Sequence, residues 1–448
     1  QQMYEVRAAN RAATRWQLRA ERALTRLAGR ETELALLRDA WRRAQGGQGK
    51  TVAIIGEPGV GKSRLCYEFL DSELNGAARV AQGGALESDA SLAFGLIQKI
   101  LKSLCGIPDG SPPDDVTHAL KNLIDQTDAD LRMLQPLSYL CGIPCNDDAA
   151  WQSLSASDQT HRAKEAFRTL TRLAARRQPL VILAEDLHWA DPESQAVLKR
   201  ACDDIEPHAI LFLLTGRSTA KLELDQFGPP SVIRLDPLSA AAAEGLAFEL
   251  LGDDPHLREL ARYLAVHTGG TPLFLEETVW MLQQSGRLSE LQAMPQPRLS
   301  DGQDIPATIQ SMIAARLNGL DASDRETLKA AAIIGADFPI AILRDVVQLP
   351  HAAFAASLGR LRDALFIVEL GSFPAEIFGF RHDLLRAVTL RGLLKEHRKL
   401  LHQKVLRVIA DLHPDYAHEH VERMSEHAMQ AEAWEEAVGF LIRAADRA

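Results

Sequence analysis

Eight consecutive residues, Gly56-Glu57-Pro58-Gly59-Val60-Gly61-Lys62-Ser63, match the pattern G-x-x-x-x-G-K-[ST] with no departure. Each position has a chemical reason. Gly56, Gly59 and Gly61 let the backbone turn tightly and aim its N–H groups at an anion. Lys62 is long enough to reach the β- and γ-phosphates of a nucleotide, and the Ser63 hydroxyl is a ligand for Mg²⁺. Arg64 follows directly and is counted with the phosphate-binding set. The motif is preceded by the strand-like run TVAIIG and opens a helical pattern. That context separates it from a chance glycine turn, and the helix adds its N-terminal dipole to the anion site. The implied ligands are ATP or ADP with Mg²⁺.

Such a site needs acids at the end of a second buried strand. The run LVILAED supplies Glu185 and Asp186. The first acid after the apolar run organises Mg²⁺ and the second polarises the attacking water. The metal set read here is Ser63, Glu185 and Asp186. The first position is commonly Asp, and Glu185 is one methylene longer, so Asp186 is the alternative metal ligand. A third apolar run, LFLLTGR, ends on Thr215 and Arg217. An arginine at a strand's C-terminal edge faces the crevice where ligands bind; Arg217 is read as a γ-phosphate contact in the catalytic set with Glu185 and Asp186. His188 and Trp189 stand side by side, but no serine or cysteine nucleophile pattern accompanies them. Trp189 is read as a packing residue and His188 as a supporting polar group.

The elements that must position these residues alternate along the chain. An amphipathic helix in LAGRETELALLRDAWRRA precedes TVAIIG. The strand-like runs ARVAQGGA, PLVILAED, AILFLLTGR and SVIRLDPL follow, with helical patterns between them, including a long helical region over 90–175. Helices alternating with apolar strands predict a parallel sheet with helices on both faces. The organisation expected is a linker helix over 1–26, an α/β P-loop nucleotide-binding domain over 27–235, a small helical lid domain over 236–297, a winged-helix domain over 306–395 and a helical region over 396–448. The linker helix is arginine-rich, and PQPRLSDGQDIP reads as a polar linker. The winged helix is read from helices followed by two β-like runs, ALFIVEL and EIFGFRH. In the last region, Val421, Met424, Ser425, Ala428, Ala437, Leu441 and Ala444 have the spacing of one tetratricopeptide unit. One such unit cannot bury its own face, so further repeats are expected beyond it.

Composition narrows the class. The chain has 448 residues, 46% of them hydrophobic and 25% charged, as in ordinary globular proteins. The net charge of −10 opposes bulk attraction to nucleic acid. The best recognition-helix candidate, HAAFAASLGRLRDALF, offers only Arg360 and Arg362, and direct nucleic-acid contact is not expected. The five cysteines are too scattered for a disulfide framework, and CGIPC lacks the second half of a zinc site. No apolar run reaches membrane-spanning length, so no membrane partner and a cytoplasmic location are expected. The opening QQMYEV and closing RAADRA predict a piece of a longer polypeptide.

Five motifs, LAGRETEL, GEPGVGKSRL, ILAEDLHWADPES, LLTGR and GGTPLFLEE, occur here in that order. Together they resemble STAND-type signalling ATPases of the AAA-like branch, found beside bacterial class III adenylyl or guanylyl cyclase domains and in large LuxR-type regulators. The resemblance implies that Gly29, Arg30 and Glu31 contact base and ribose. It implies that Pro272, in the Gly270-Thr271-Pro272 step, packs near the adenine, with Thr271 in place of the commoner Asn. FRHDLLRAVTLRGLL is similar to a further family motif, which implies that His382 touches the β-phosphate of bound ADP; Arg386 stands where that motif has an acid. The implied function is an ATP/ADP switch with slow Mg²⁺-dependent hydrolysis. It couples an effector domain in the same polypeptide, a cyclase, to a signal read by C-terminal repeats, with nucleotide-dependent oligomerisation. The alternatives are an ATP-dependent LuxR-type transcriptional regulator or a nucleotide-binding scaffold without turnover.

Overall fold

The computed structural model describes residues 26–445 apart from 75, 86–92, 144–148, 218–226, 228–229, 285, 293–308, 372–375 and 382. Nearly all of the expected arginine-rich linker helix, the polar linker and His382 lie outside the described residues. The chain forms two compact units. One is Gly29–Asp236; the other begins at Pro237 and takes in the segment just before Gly29.

In the first unit, α1 (Glu31–Gln45) carries Glu31 and Glu33 in its first turn and Arg42 and Arg43 in its last, a charge order that suits the helix dipole. Its buried face is Leu34, Leu37, Trp41 and Ala44, at helical spacing. The other main elements are β1 (Lys50–Gly56), α2 (Lys62–Leu74), β2 (Arg79–Gly84), α3 (Gly95–Cys105), α4 (Pro113–Gln126), α5 (Leu134–Leu140), α6 (Ala156–Arg177), β3 (Leu180–Glu185), α7 (Pro192–Cys202), β4 (Ile210–Gly216) and β5 (Ser231–Leu235). The strands form one sheet in the order β2-β3-β4-β1-β5, every pairing parallel. The central strands β1, β3 and β4 are buried along nearly their whole length, which is why they read as unbroken apolar runs. β5, at the edge, alternates in burial instead. Ile182, Phe212 and Leu214 meet Ile100, Phe167 and Leu170 in the main core on one side of the sheet.

Register brings the working ends of three strands together. Ile55 pairs with Gly216 across β1 and β4, and Ala184 with Leu214 across β3 and β4. β4 therefore lies between the strand that feeds the glycine loop and the strand that ends in acids, and all three finish at one edge.

The second unit contains two hydrophobic clusters. Helices α8 (Ala240–Leu250), α9 (Arg258–His267) and α10 (Pro272–Gln284) enclose one, with Leu246, Leu260, Leu264 and Leu275 buried. The other gathers α11 (Ile309–Asn318), α12 (Ala322–Ile334), β6 (Asp337–Pro339), α13 (Ile340–Val347), α14 (His351–Asp363), β7 (Ile367–Gly371), β8 (Ile377–Phe380), α15 (Asp383–Arg391), α16 (Lys395–Leu412), α17 (Val421–Gln430) and α18 (Trp434–Ala445). β7 and β8 are the two β-like runs expected. β6 is a third strand the sequence reading did not anticipate: it pairs antiparallel with β8, and three residues are too few to show a period. At the C-terminal end Val421, Met424, Ser425, Ala428 and Ala437 are buried, whereas Leu441 is exposed.

Candidate functional site

The glycine loop leaves β1 at Gly56 and enters α2 at Lys62. A Cβ on Gly56 would lie 2.6 Å from the Leu235 carbonyl oxygen, so the packing of β1 against β5 excludes any side chain there. Gly59 and Gly61 sit at φ +86° and +100°, a region that other residues rarely adopt. The Lys62 ammonium folds back over the loop and donates to the carbonyls of Gly56 at 2.9 Å and Glu57 at 3.2 Å. Burial lowers its basicity; Asp186 opposes that shift, and Arg217 adds to it. Lys62, Asp186 and Arg217 thus act on one another electrostatically. Ser63 occupies the first turn of α2. Arg64 runs along that helix to a 2.7 Å ion pair with Glu68.

Glu185 is the last residue of β3, and Asp186 follows in the left-handed region at φ +52°. The Asp186 N–H donates to Thr215 Oγ1 at 2.9 Å, and Thr215 is buried on β4. A hydroxyl from the neighbouring strand thereby fixes the backbone that carries the acid. Arg217, just past β4, lies over the Trp189 ring at 5.2 Å. Trp189 itself packs against the main core. The His188 side chain is 6% exposed, with Nδ1 4.0 Å from Asp186 Oδ1. Burial, then Arg217 and Lys62, press its pKa down to about 4, so the imidazole is neutral at pH 7.

Two residues have duties that the motifs did not announce. Arg30 is buried, and its guanidinium donates to the Val60 carbonyl of the glycine loop at 3.1 Å and to the Asp236 carbonyl at 2.6 Å, with Glu33 at 3.0 Å. It braces the loop against the exit from β5. Asp191 is also buried. It caps α7 by accepting from Ser194 N at 2.8 Å and holds the Phe94 N–H at 2.9 Å. The Asp-Pro-Glu-Ser order of a helix start was the available signal for Asp191; no local pattern marks the role of Arg30.

In the second unit Gly270 sits at φ +69°, where a Cβ would lie 2.4 Å from the Leu238 oxygen, and Pro272 opens α10. His382 falls outside the described residues.

This donor set fits a magnesium nucleotide. The loop presents backbone N–H groups and a lysine to phosphate, while Ser63, Glu185 and Asp186 offer only hard oxygen ligands. Among the described residues no group of three or more His, Cys, Asp and Glu could hold a metal by itself. Magnesium is commonly held in this sparse way, by one or two carboxylates and the substrate's phosphates rather than by an all-protein cage.

Comparison with known proteins agrees. Residues 26–213 match the family model of the AAA ATPase domain. The chain is 26% identical over 430 residues to an uncharacterized protein of Rhizobium meliloti (strain 1021), covering 93% of this chain and 40% of that one. It thus spans less than half of that relative's length. Among solved structures it is similar to a signal transduction ATPase with numerous domains (STAND) carrying a tetratricopeptide repeat sensor, from Pyrococcus horikoshii. There the TM-score is 0.52 at 14% identity, over 93% of this chain and 50% of that one. A Walker-type ATPase of Pyrococcus abyssi matches with a TM-score of 0.36 at 14% identity, over 81% of this chain and 96% of that one. No helix among the described residues is long and apolar enough to cross a membrane. Residues 26–213 are thus similar to an AAA ATPase domain, and the fold of the chain is similar to that of a STAND ATPase.

Proposed function

We propose that this chain is the nucleotide switch of a multidomain bacterial signalling protein, with slow Mg²⁺-dependent hydrolysis of ATP. The observation that carries the reading is the convergence of the complete glycine loop with Lys62, Asp186 and Arg217 at one edge of the sheet. Gly56, Gly59, Gly61, Lys62, Ser63 and Arg64 bind the phosphates. Glu185 and Asp186 with the Ser63 hydroxyl hold magnesium, which neutralises charge on the transferred phosphoryl group. Asp186, fixed through Thr215, orients the attacking water, and Arg217 contacts the γ-phosphate. Arg30 acts near the base by supporting the loop, and Pro272 packs on the adenine.

The switching part of the proposal assigns α11–α15 with β6–β8 to a winged helix whose His382 holds the β-phosphate of ADP. It assigns α17 and α18 to the first unit of a tetratricopeptide sensor, and it places a cyclase as effector. Energy enters as the difference in affinity of two arrangements for ATP and ADP. Nucleic-acid binding is kept out of the proposal. On the candidate recognition helix α14, Arg360 is bidentate to the buried Asp324 at 2.7 Å for each bond, and Arg362 faces Asp363 at 3.5 Å.

The test is the nucleotide that accompanies the purified protein, released by denaturation and identified by chromatography, followed by a turnover assay. Bound ADP with slow ATP turnover is the expected result. An empty site with rapid turnover would replace the switch with a working ATPase.

A further inference from the structure

Both ring nitrogens of His188 are buried and lack a hydrogen-bond partner among the described residues. Buried polar atoms are nearly always paired, and exceptions cluster where a group has a task beyond packing. The surroundings of this imidazole are built with care. Leu187 is fully buried, the Trp189 N–H donates to the Asp186 carbonyl at 2.8 Å, and the Ala190 N–H to the Leu187 carbonyl at 3.1 Å. Asp191 then anchors the turn to α7 and to Phe94. The Trp189 ring lies 5.0 Å from the imidazole, tilted by 40°. This short bracket delivers His188 to one place, with Nδ1 facing Asp186 Oδ1 across 4.0 Å.

That separation is too long for a hydrogen bond and about 1 Å from being one. The backbone of Asp186 cannot supply the movement, because Thr215 holds its N–H. The side chain can, by rotation about its own bonds.

We propose that His188 is the positioning residue for Asp186: the imidazole, as its Nδ1–H tautomer, donates to the carboxylate and sets the rotamer in which Asp186 orients the attacking water. The proposal rests on the hydrolytic reading above. It explains why a polar ring, rather than an apolar one, is buried at the end of β3. It gives His188 no share in proton transfer and no contact with nucleotide. Partners that orient catalytic or metal-binding carboxylates are commonly worth roughly 10- to 100-fold in activity.

The test uses the full chain with His188→Leu, His188→Asn and His188→Gln. An asparagine amide falls near the Nδ1 position and a glutamine amide near Nε2. Three quantities are measured: ATP turnover with Mg²⁺, affinity for ADP, and affinity for ADP with aluminium fluoride, which mimics the transferring phosphoryl group. His188→Leu is expected to slow turnover roughly 10- to 100-fold and to weaken the aluminium fluoride complex in proportion, with ADP affinity unchanged. His188→Asn is expected to recover most of both losses, and His188→Gln neither. Wild-type turnover in His188→Leu would overturn the proposal. Equal impairment in His188→Asn and His188→Leu would also overturn it, because only packing would then matter. If His188→Leu does not fold, the contrast between His188→Asn and His188→Gln decides. A wild-type chain that binds ATP and never turns it over overturns the hydrolytic reading itself, a result distinct from either variant outcome.

Discussion

Lys62 is held by its own loop, by the Gly56 and Glu57 carbonyls, and shares its field with Asp186 and Arg217. Nucleotide phosphate would compete for the same ammonium with stronger, charge-assisted hydrogen bonds. Lys62→Ala is therefore expected to weaken ATP binding by about 10- to 100-fold or more by calorimetric titration, while the fold survives. Unchanged affinity would remove the loop from the nucleotide site. At this scale the sequence was informative wherever chemistry demands a fixed spacing, as in Gly56 to Ser63 and in the pair Glu185–Asp186. It was silent where a side chain serves a distant backbone. Arg30 reaches Val60 and Asp236 across 30 and 206 residues of chain, and nothing near Arg30 encodes either partner.

Two of the buried polar contacts that join helices within the second unit have ionisable groups on both sides. Arg316 of α11 pairs with Glu277 of α10, donates to the Ala364 carbonyl at 2.8 Å, and lies 3.7 Å from the Trp280 ring centroid and 4.6 Å from that of Phe366. Removing one member of such a pair leaves a buried charge without its counter-ion. Glu277→Ala is expected to cost about 3–5 kcal/mol in denaturant unfolding, whereas an apolar replacement of both residues costs much less. The second contact joins α16 and α17, where His402 Nδ1 and His427 Nδ1 are 2.9 Å apart and buried. One nitrogen must donate and the other accept, so the accepting ring is neutral. Burial brings His402 down to about 4 and His427 to about 3, with Arg386 near both, Arg398 near His402 and Arg423 near His427. The unfolded chain takes up protons near pH 6.5 and the folded one does not. Stability is therefore full above about pH 6.5 and falls as the pH drops towards about 4. Urea melts at stepped pH should show that slope, and a flatter slope in His427→Leu would assign it to the pair. Element type was legible where burial is uniform, as in β1, β3 and β4. It was not legible for β6, whose strand character comes from its pairing with β8 rather than from its own pattern.

The two compact units allow unfolding in more than one step, and a ligand displaces only the steps that release it. ADP at about 100 times its Kd is expected to stabilise the Gly29–Asp236 unit by about 2.7 kcal/mol. Under the proposed clamp the transition of the second unit rises as well, and His382→Ala confines the rise to the first. Calorimetric scans with and without ADP separate these cases, and a shift confined to one transition in the wild-type chain would sink the clamp. The parallel sheet was legible at this scale because its alternating pattern repeats over residues 50–235.

The strand order also fixes when the nucleotide loop can become a loop at all. β1 is an apolar strand whose two neighbours, β4 and β5, are both encoded after residue 209. A ribosome adding roughly 5–20 residues per second leaves that strand without either partner for on the order of 10–30 s after it is made. During synthesis the unpaired edges of this apolar strand are a surface for aggregation and for chaperones. The same topology that assembles the phosphate cradle late also makes the nascent protein depend on protection until β4 arrives.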